Sequence, residues 1–173
     1  VAYLAKAIAE RMELPHNRVE AVFYAALVHD IGKIPVPSSI LSKPGRLSEA
    51  EFAIIKNHAR FGAEILSAIN FPWPIADIVL QHHEHVDGTG YPHGLKGDEI
   101  SLEAKIVCVS DVVEAMSSFR PYRPALGIEE ALEEIQKKRQ IWFDGRVVDV
   151  CLHIFKETGG EFWKEITKSS HNV

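Results

Sequence analysis

The sequence predicts a single all-α domain, and three observations lead to this prediction. Its 173 residues are 46% hydrophobic, which is enough chain and enough apolar surface for one buried core. Apolar residues recur at helical spacing along most of the chain, and Pro, Gly or Ser residues bound the segments that carry them. No internal repeat, low-complexity tract or linker divides the chain. We therefore expect helices packed around one core.

The first two predicted helices lead to a His-Asp pair. Apolar residues at helical spacing predict a first helix over residues 1–12. A second helix runs from about Asn17 into the segment His29-Asp30-Ile31-Gly32-Lys33. Gly32 suits a helix stop, and the prolines that follow predict an ordered loop.

The next two predicted helices bring further histidines. Ser48 and Glu51 predict a capping box at the start of a helix that continues to about Ile69 and contains His58. A short helix then ends one turn before the adjacent pair His82-His83. A turn rich in Asp, Gly and Pro follows this pair, so the backbone can bend and approach a ligand closely there.

The second half of the chain predicts a long helix and two shorter ones. Ser101 can cap a helix through about Ser117. Within it, the run Lys105–Val109 is rich in β-branched residues and is equally typical of a short buried strand. Neighbouring helices and the lack of a second strand to pair with favour helix. Two more helices are expected at about Ile128–Lys138 and Arg146–Glu157, followed by a frayed polar tail.

Charge and cysteine content exclude several classes of protein. A net charge of −5 argues against binding to a nucleic-acid polymer or a membrane surface, so an anionic ligand must be met by a local basic cluster. Cys108 and Cys151 lie far apart inside apolar runs, which is typical of buried reduced thiols in a cytosolic protein. No segment is long and apolar enough to span a bilayer, and no signal peptide is visible.

Several histidines and aspartates lie in or beside apolar helical faces, where they are costly to bury unless something binds them. Taken singly, each has an ordinary explanation: paired histidines occur at helix ends by chance, and a lone histidine or aspartate is usually satisfied by its neighbours. Spread over four helices together, they predict a metal site. The candidate ligands are His29, Asp30, His58, His82, His83 and Asp111.

This ligand set indicates a class of chemistry. Imidazole and carboxylate ligands without thiolates favour Fe, Mn, Zn or Ni. Adjacent His-Asp pairs suit a two-metal centre, which supplies hydroxide at neutral pH and stabilises the attacking and leaving oxygens of a phosphoryl displacement. Lys33, Arg120 and Arg123 are the candidate phosphate contacts, because both residue types bind phosphate oxygens. The alternative for the two arginines is a solvated surface loop.

The motifs resemble those of the HD-GYP domains, a branch of the HD phosphohydrolase superfamily. The similarity runs from Val1 to about Phe155, and the motifs are specific only in combination. They are His29-Asp30-Ile31-Gly32-Lys33, Lys43-Pro44-Gly45, His82-His83-Glu84, Asp87-Gly88-Thr89-Gly90-Tyr91-Pro92 and Arg120-Pro121-Tyr122-Arg123.

The resemblance implies a helical bundle around two or three divalent metal ions, most typically Fe or Mn. It also implies a phosphodiesterase that opens cyclic di-GMP to pGpG or GMP, in the cytoplasm of a bacterium. By motif, the six candidate ligands would bind metal, with Asp30 bridging and with Asp30 and Lys33 catalytic. Lys33, Tyr91, Arg120 and Arg123 would bind substrate. The Gly-Tyr-Pro loop is linked in the family to GGDEF cyclases or adaptors, and a sensor domain usually precedes the domain.

One departure concerns the start of the chain. Family members usually carry a further histidine, in a His-x-x-Arg-Val pattern, on the first helix. Val1 would match that valine, so we expect the domain to span residues 1–173 without the start of its first helix, with residues 159–173 as a C-terminal tail. His16 imitates the pattern but lies too close to His29 and is expected at the surface. His85, His93, His153 and His171 have no motif role.

Two other functions remain open at the level of sequence. One is a different HD-type nucleotide phosphohydrolase, against which the Gly-Tyr-Pro loop and the paired arginines count. The other is a catalytically silent receptor for cyclic di-GMP, or an interaction module. Loss of a ligand would indicate that function, and none of the six is lost.

Overall fold

A computed structural model describes residues 1–118 and 127–169, and the named elements of that part of the chain are all helices. Within these residues the only extended pairing is two isolated bridges, Asp87 with Lys96 and Arg139 with Phe143. The prediction of a single all-α domain is confirmed. The helices, labelled in chain order, are α1 (Ala2–Arg11), α2 (His16–Val28), α3 (Ser38–Leu41), α4 (Glu49–Lys56), α5 (His58–Ser67), α6 (Ile75–Gln81), α7 (Leu102–Ser117), α8 (Ile128–Lys137), α9 (Gly145–Thr158) and α10 (Glu161–Ser169).

Helix α7 forms the centre of the core. It packs against α1, α2, α6, α8 and α9, and its residues Ile106, Val107 and Val109 are fully buried. A helix covered on all sides by other helices has no need of a polar face. The β-branched run therefore forms helix and not strand, because tertiary packing outweighs its local strand preference.

Two of the predicted helix starts are confirmed in atomic detail. The Ser48 hydroxyl accepts a hydrogen bond from the Glu51 backbone N–H, and the Glu51 carboxylate accepts one from the Ser48 N–H, which completes the capping box. The Lys43 ammonium also donates to both oxygens of Glu51, at 2.7 Å each. Lys43 thus anchors the Lys43-Pro44-Gly45 loop to the start of α4. The second start is α7, where the Ser101 hydroxyl caps Ala104.

Two details of the predicted helices were wrong. The helix expected from Ser48 to about Ile69 is two helices, α4 and α5, separated at Asn57, where the backbone N–H bonds to Ile54 three residues earlier. Residues Glu161–Ser169 form a helix, α10, within the segment that the sequence predicts to be a frayed polar tail. An apolar face explains this helix, since Phe162 and Trp163 pack against Phe155 of α9.

The short 3₁₀ turn Ile31–Lys33 lies against α5 at very short range, and Gly32 makes this possible. A Cβ on Gly32 would lie 1.9 Å from the His58 carbonyl oxygen and 2.4 Å from the Gly62 nitrogen. The position excludes a side chain because two backbones meet there, and not because a helix stop needs a special backbone conformation. This contact brings the His29-Asp30 pair to His58.

We expect Gly32→Ala to destabilise the protein by about 3 kcal/mol or more, because the added methyl group meets backbone atoms that cannot rotate away. Gly45→Ala is the matched control, since Gly45 has a φ of +91° but nothing within 4 Å of an added Cβ. It should cost about 1–2 kcal/mol, from backbone conformation alone. Urea unfolding of the two variants checks this, and equal losses would contradict a close backbone approach at Gly32.

Candidate metal centre

Three histidines from separate parts of the chain converge at one point. The His58 Nε2 atom lies 3.2 Å from the Nε2 atoms of both His82 and His83. His58 and His82 are fully buried, and His83 is partly exposed. Each of the three offers one ligand atom to a common site, with all three atoms within 4.8 Å of one another.

The other ring nitrogen decides which tautomer is present. The Nδ1 atoms of His58 and His82 lie 2.7 Å and 2.5 Å from the carbonyl oxygens of Ile55 and Val79. A carbonyl oxygen can only accept, so each Nδ1 carries the proton and each Nε2 presents a lone pair. The short contact between these two Nε2 atoms therefore places lone pair against lone pair and is not a hydrogen bond.

This donor set fits a metal ion. Histidine nitrogens bind Zn²⁺ at about 2.0–2.1 Å, so two nitrogens on one ion lie roughly 3–3.4 Å apart, as the Nε2 atoms do here. The backbone carbonyls that hold Nδ1–H are the outer hydrogen-bond partners that metal-binding histidines usually have. A cation between the facing lone pairs would remove their mutual repulsion.

Burial keeps these imidazoles neutral and ready to bind a cation. Desolvation lowers the pKa of His58 and lowers that of His82 to about 4. For His83, burial and the neighbouring His82 hold the pKa well below its ordinary value. At neutral pH no proton has to be displaced from these three rings before a metal binds.

The remaining three predicted ligands form an acidic group beside the histidines. The His29 Nε2 atom lies 3.5 Å from Asp111 Oδ1 and 3.6 Å from Asp30 Oδ2. Burial lowers the pKa of His29, but the hydrogen bond and charge of Asp111 outweigh it, so the pKa is raised overall. Burial likewise raises the pKa of Asp111, and His29 reverses this to a net lowering. A field that favours a proton on His29 also favours a metal cation.

Asp30 lies between the two groups. Its Oδ2 atom faces His29, and its Oδ1 atom is 3.7 Å from the Nε2 atom of His58. Burial raises the pKa of Asp30, but His29 and Lys33 lower it overall, so the carboxylate stays ionised. The Lys33 ammonium donates a hydrogen bond of 2.7 Å to Oδ2 and holds the carboxylate in this orientation.

Tyr91 closes one side of the cluster. Its ring stacks on His83, with a centroid distance of 4.8 Å and an interplanar angle of 25°. The Tyr91 backbone N–H donates to the His83 carbonyl at 3.1 Å, and the following peptide bond to Pro92 is cis. Burial raises the pKa of Tyr91, so its hydroxyl remains a hydrogen-bond donor.

Glu84 holds the loop that carries Tyr91, a role that sequence reasoning missed. Its buried carboxylate accepts hydrogen bonds from the backbone N–H groups of His93 at 2.7 Å and Leu95 at 3.0 Å. A Cβ on Gly90 would lie 2.3 Å from the His85 nitrogen, so the loop also passes directly over the backbone of the histidine segment. The adjacency of Glu84 to two histidines was a signal, but its partners lie 9 and 11 residues away and had no visible pattern.

The structure thus brings His29, Asp30, Lys33, His58, His82, His83, Tyr91 and Asp111 into one region. Arg120 and Arg123 lie outside the described residues, as does His171. His16 is exposed, as expected, and His153 is an exposed residue paired with Glu157 at 2.9 Å. His85 stacks on Trp142 at 4.7 Å, away from the cluster of ligand atoms. Both cysteines are free and buried, as predicted.

Comparison with known proteins places the chain in a family. The family model described as HD domain matches residues 1–147, so the chain belongs to the HD domain family. Phosphohydrolases of this family depend on metal ions, which agrees with the histidine cluster. Within residues 1–118 and 127–169, no helix combines the length and apolar character needed to cross a membrane.

Two curated relatives are phosphodiesterases. The chain is 44% identical over 154 residues to the cyclic di-GMP phosphodiesterase response regulator RpfG of Xanthomonas campestris, with 88% of this chain and 41% of that protein aligned. It is 47% identical over 108 residues to the 3′3′-cGAMP-specific phosphodiesterase 3 of Vibrio cholerae, which covers 62% of this chain and 24% of the relative. The chain therefore spans less than half the length of both relatives.

A solved structure shares the fold. The crystal structure of a cyclic GMP-AMP-specific phosphodiesterase from V. cholerae superposes with a TM-score of 0.71 at 20% identity. The match covers 99% of this chain and 47% of the other. The arrangement of helices in this chain is therefore a fold that a solved structure also has.

We expect Glu84→Gln to cost about 1–3 kcal/mol, because the amide group can accept from only one of the two buried N–H donors and turns a donor towards the other. Glu99→Gln is the matched control, since the exposed Glu99 carboxylate accepts from the Lys96 backbone N–H at 2.8 Å. It should cost less than about 0.5 kcal/mol. Urea unfolding gives the free energies, and hydrogen exchange at His93 and Leu95 reports the loop. Unchanged exchange in Glu84→Gln would contradict its anchoring role.

Proposed function

We propose that this chain is the catalytic domain of a metal-dependent phosphodiesterase that hydrolyses cyclic di-GMP to pGpG or GMP. The observation that carries the proposal is the convergence of the His58, His82 and His83 Nε2 atoms beside an ionised Asp30. The identity of 44% to a cyclic di-GMP phosphodiesterase over most of the chain supports the choice of substrate.

The proposed centre holds two or three divalent ions. His58, His82 and His83 would supply neutral nitrogen ligands, while His29 and Asp111 would serve a second position. Asp30 would bridge, which is consistent with its two oxygens facing different histidines. Mixed nitrogen and carboxylate ligands are compatible with Fe, Mn, Zn or Ni, and the family resemblance favours Fe or Mn among them. Bound ions supply Lewis acidity and lower the pKa of water at the site.

The chain's own residues orient the substrate and hold protons. Lys33 has three N–H donors and uses one on Asp30, so the others can donate to a phosphate oxygen. Tyr91 keeps its hydroxyl proton, and its ring, stacked on His83, would line the substrate pocket. Arg120 and Arg123 complete the proposed phosphate contacts on the strength of their motif, since a guanidinium binds phosphate in a bidentate manner.

A second candidate substrate is 3′3′-cyclic GMP-AMP. The observation that favours it is the 47% identity to a phosphodiesterase specific for that compound. Both compounds are 3′3′ cyclic dinucleotides with two phosphodiesters, so the same centre serves either one. Which compound is the better substrate depends on contacts to the one base that differs between them. An assay in which the two compounds compete for the enzyme measures this preference.

We also infer the setting of the enzyme. The relatives are bacterial proteins, and we place this chain in the bacterial cytoplasm, behind a sensor domain in the complete protein. Exposed residues Asp87, Thr89 and His93 lie on the loop around Tyr91 and offer a polar surface to a GGDEF domain or adaptor. Pull-down of a GGDEF domain with and without Asp87→Ala and Thr89→Ala tests that contact.

Removal of metal should abolish hydrolysis of cyclic di-GMP, because the proposed ligands act on the substrate only through bound ions. Turnover should return with Fe(II) or Mn(II), measured as pGpG and GMP by chromatography, with 3′3′-cyclic GMP-AMP run in parallel. His83→Gln should lower the metal content per chain, whereas the exposed control His153→Gln should not. Full activity after thorough chelation would refute the metal mechanism.

The arginines and Asp30 should fail in different ways. Arg120→Ala or Arg123→Ala should weaken substrate binding or turnover at unchanged metal content, since each removes a charge-assisted contact worth roughly 1.5–3 kcal/mol. Asp30→Ala should reduce the metal content itself. Arg146→Ala is the control, because that arginine is exposed and its ion pair within the described residues is with Asp144. If the arginine variants lost metal and Asp30→Ala kept it, the assigned roles would be reversed.

A further inference from the structure

Lys56 is a cation close to the candidate centre, outside the set of candidate ligands and phosphate contacts. It lies in the last turn of α4, two residues before His58. Its Nζ atom is 4.9 Å from the centroid of the Phe52 ring and 5.4 Å from that of Tyr91. The ammonium is thus flanked by two aromatic rings and is only partly exposed.

The charge of Lys56 is not neutralised by the described part of the chain. Lys33, Lys43 and Lys105 each donate to a carboxylate, at 2.7, 2.7 and 3.3 Å. Over residues 1–118 and 127–169, Lys56 forms no ion pair. A partly buried ammonium held only by ring faces keeps its N–H donors for another acceptor.

The location of Lys56 points to an acceptor on the substrate. Tyr91 contacts Lys56 with its ring and stacks on His83, so a single aromatic ring separates the ammonium from the cluster. On the other side, Phe52 lines a cavity of about 220 Å³ whose wall also includes Lys33. The Lys33 ammonium is hydrogen-bonded to Asp30, so this cavity adjoins the candidate centre.

We propose that Lys56 is a substrate-binding residue that holds the phosphodiester that is not being cleaved. This inference rests on the proposed function, because only a cyclic dinucleotide presents two phosphodiesters. While one lies at the histidine and aspartate cluster, the other must be accommodated nearby. The Lys56 ammonium, one ring away, can pair with the charge of that second phosphodiester, and the exposed Phe52 ring can stack on an attached base.

The competing explanation is structural. A lysine in the last turn of a helix interacts favourably with the carbonyl end, and its contacts with two rings stabilise the local packing. That role predicts a change in thermal stability and none in substrate affinity. Measurements of stability and affinity on the same variant separate the two explanations.

The experiment compares Lys56→Gln, Lys56→Arg and a control, Lys138→Gln, in metal-loaded protein. Lys138 lies 4.1 Å from the centroid of the Trp142 ring, so its variant also loses a cation–ring contact, but away from the centre. For each variant, calorimetry gives the Kd for cyclic di-GMP, and steady-state assays give KM for cyclic di-GMP and for bis(p-nitrophenyl) phosphate, which has one phosphodiester. Melting temperature and metal per chain are measured alongside.

We expect Lys56→Gln to raise Kd and KM for cyclic di-GMP about tenfold, or about 1.4 kcal/mol, with full metal content. KM for the substrate with one phosphodiester should change less than about twofold. Lys56→Arg should restore most of the affinity because it keeps the charge, and Lys138→Gln should match the wild type in Kd. The difference between Lys56→Gln and wild type should shrink at high salt.

Three results would overturn the inference. They are an unchanged Kd in Lys56→Gln, an equal rise in KM for both substrates, and a loss of metal that accounts for the weaker binding. Wild-type protein that binds but does not hydrolyse cyclic di-GMP would count against the proposed phosphodiesterase and leave this test intact. Wild-type protein that does not bind cyclic di-GMP would refute both the substrate assignment and the role of Lys56.

Discussion

The geometry of the candidate centre depends on one repeated hydrogen bond, from a histidine Nδ1–H to the backbone carbonyl three residues earlier. It occurs at His29, His58 and His82, with Ala26, Ile55 and Val79 as acceptors. All three carbonyls belong to the last turn of a helix, where carbonyls have no partner within the helix. Each imidazole therefore satisfies a helix end and, by the same bond, directs its Nε2 atom towards the cluster.

This constraint explains why the chain divides its helices where it does. Ala26 and Val79 belong to the ends of α2 and α6, and Ile55 belongs to the end of α4. The break at Asn57 creates the third helix end, and His58 follows it directly. A continuous helix over α4 and α5 would have used the carbonyl of Ile55 internally and left His58 without this anchor. The close approach of Gly32 to α5 then brings the ends of α2 and α4 together.

The sequence predicted those features that depend on residues close together along the chain. Ser48 with Glu51, and Ser101 with Ala104, are local patterns, and both caps were predicted correctly. The candidate ligands were selected from the sequence because their types are unusual in apolar helical segments. The break at Asn57 and the helix at Glu161–Ser169 were missed, because the apolar spacing runs on through the break and the last helix is held by packing on Phe155, which composition does not show. No local pattern showed that Glu84 would hold a loop or that Lys56 would lie beside Tyr91.

The two halves of the centre differ in charge, and this difference bears on how ions would be held. His58, His82 and His83 form a neutral group whose pKa values are lowered by burial. His29, Asp30 and Asp111 form an acidic group in which His29 is favoured as a cation. An ion in the acidic group gains more from Coulomb attraction, whereas the neutral group offers the softer imidazole nitrogens. Asp30 contacts both groups, so the orientation that Lys33 imposes on its carboxylate couples one half of the centre to the other.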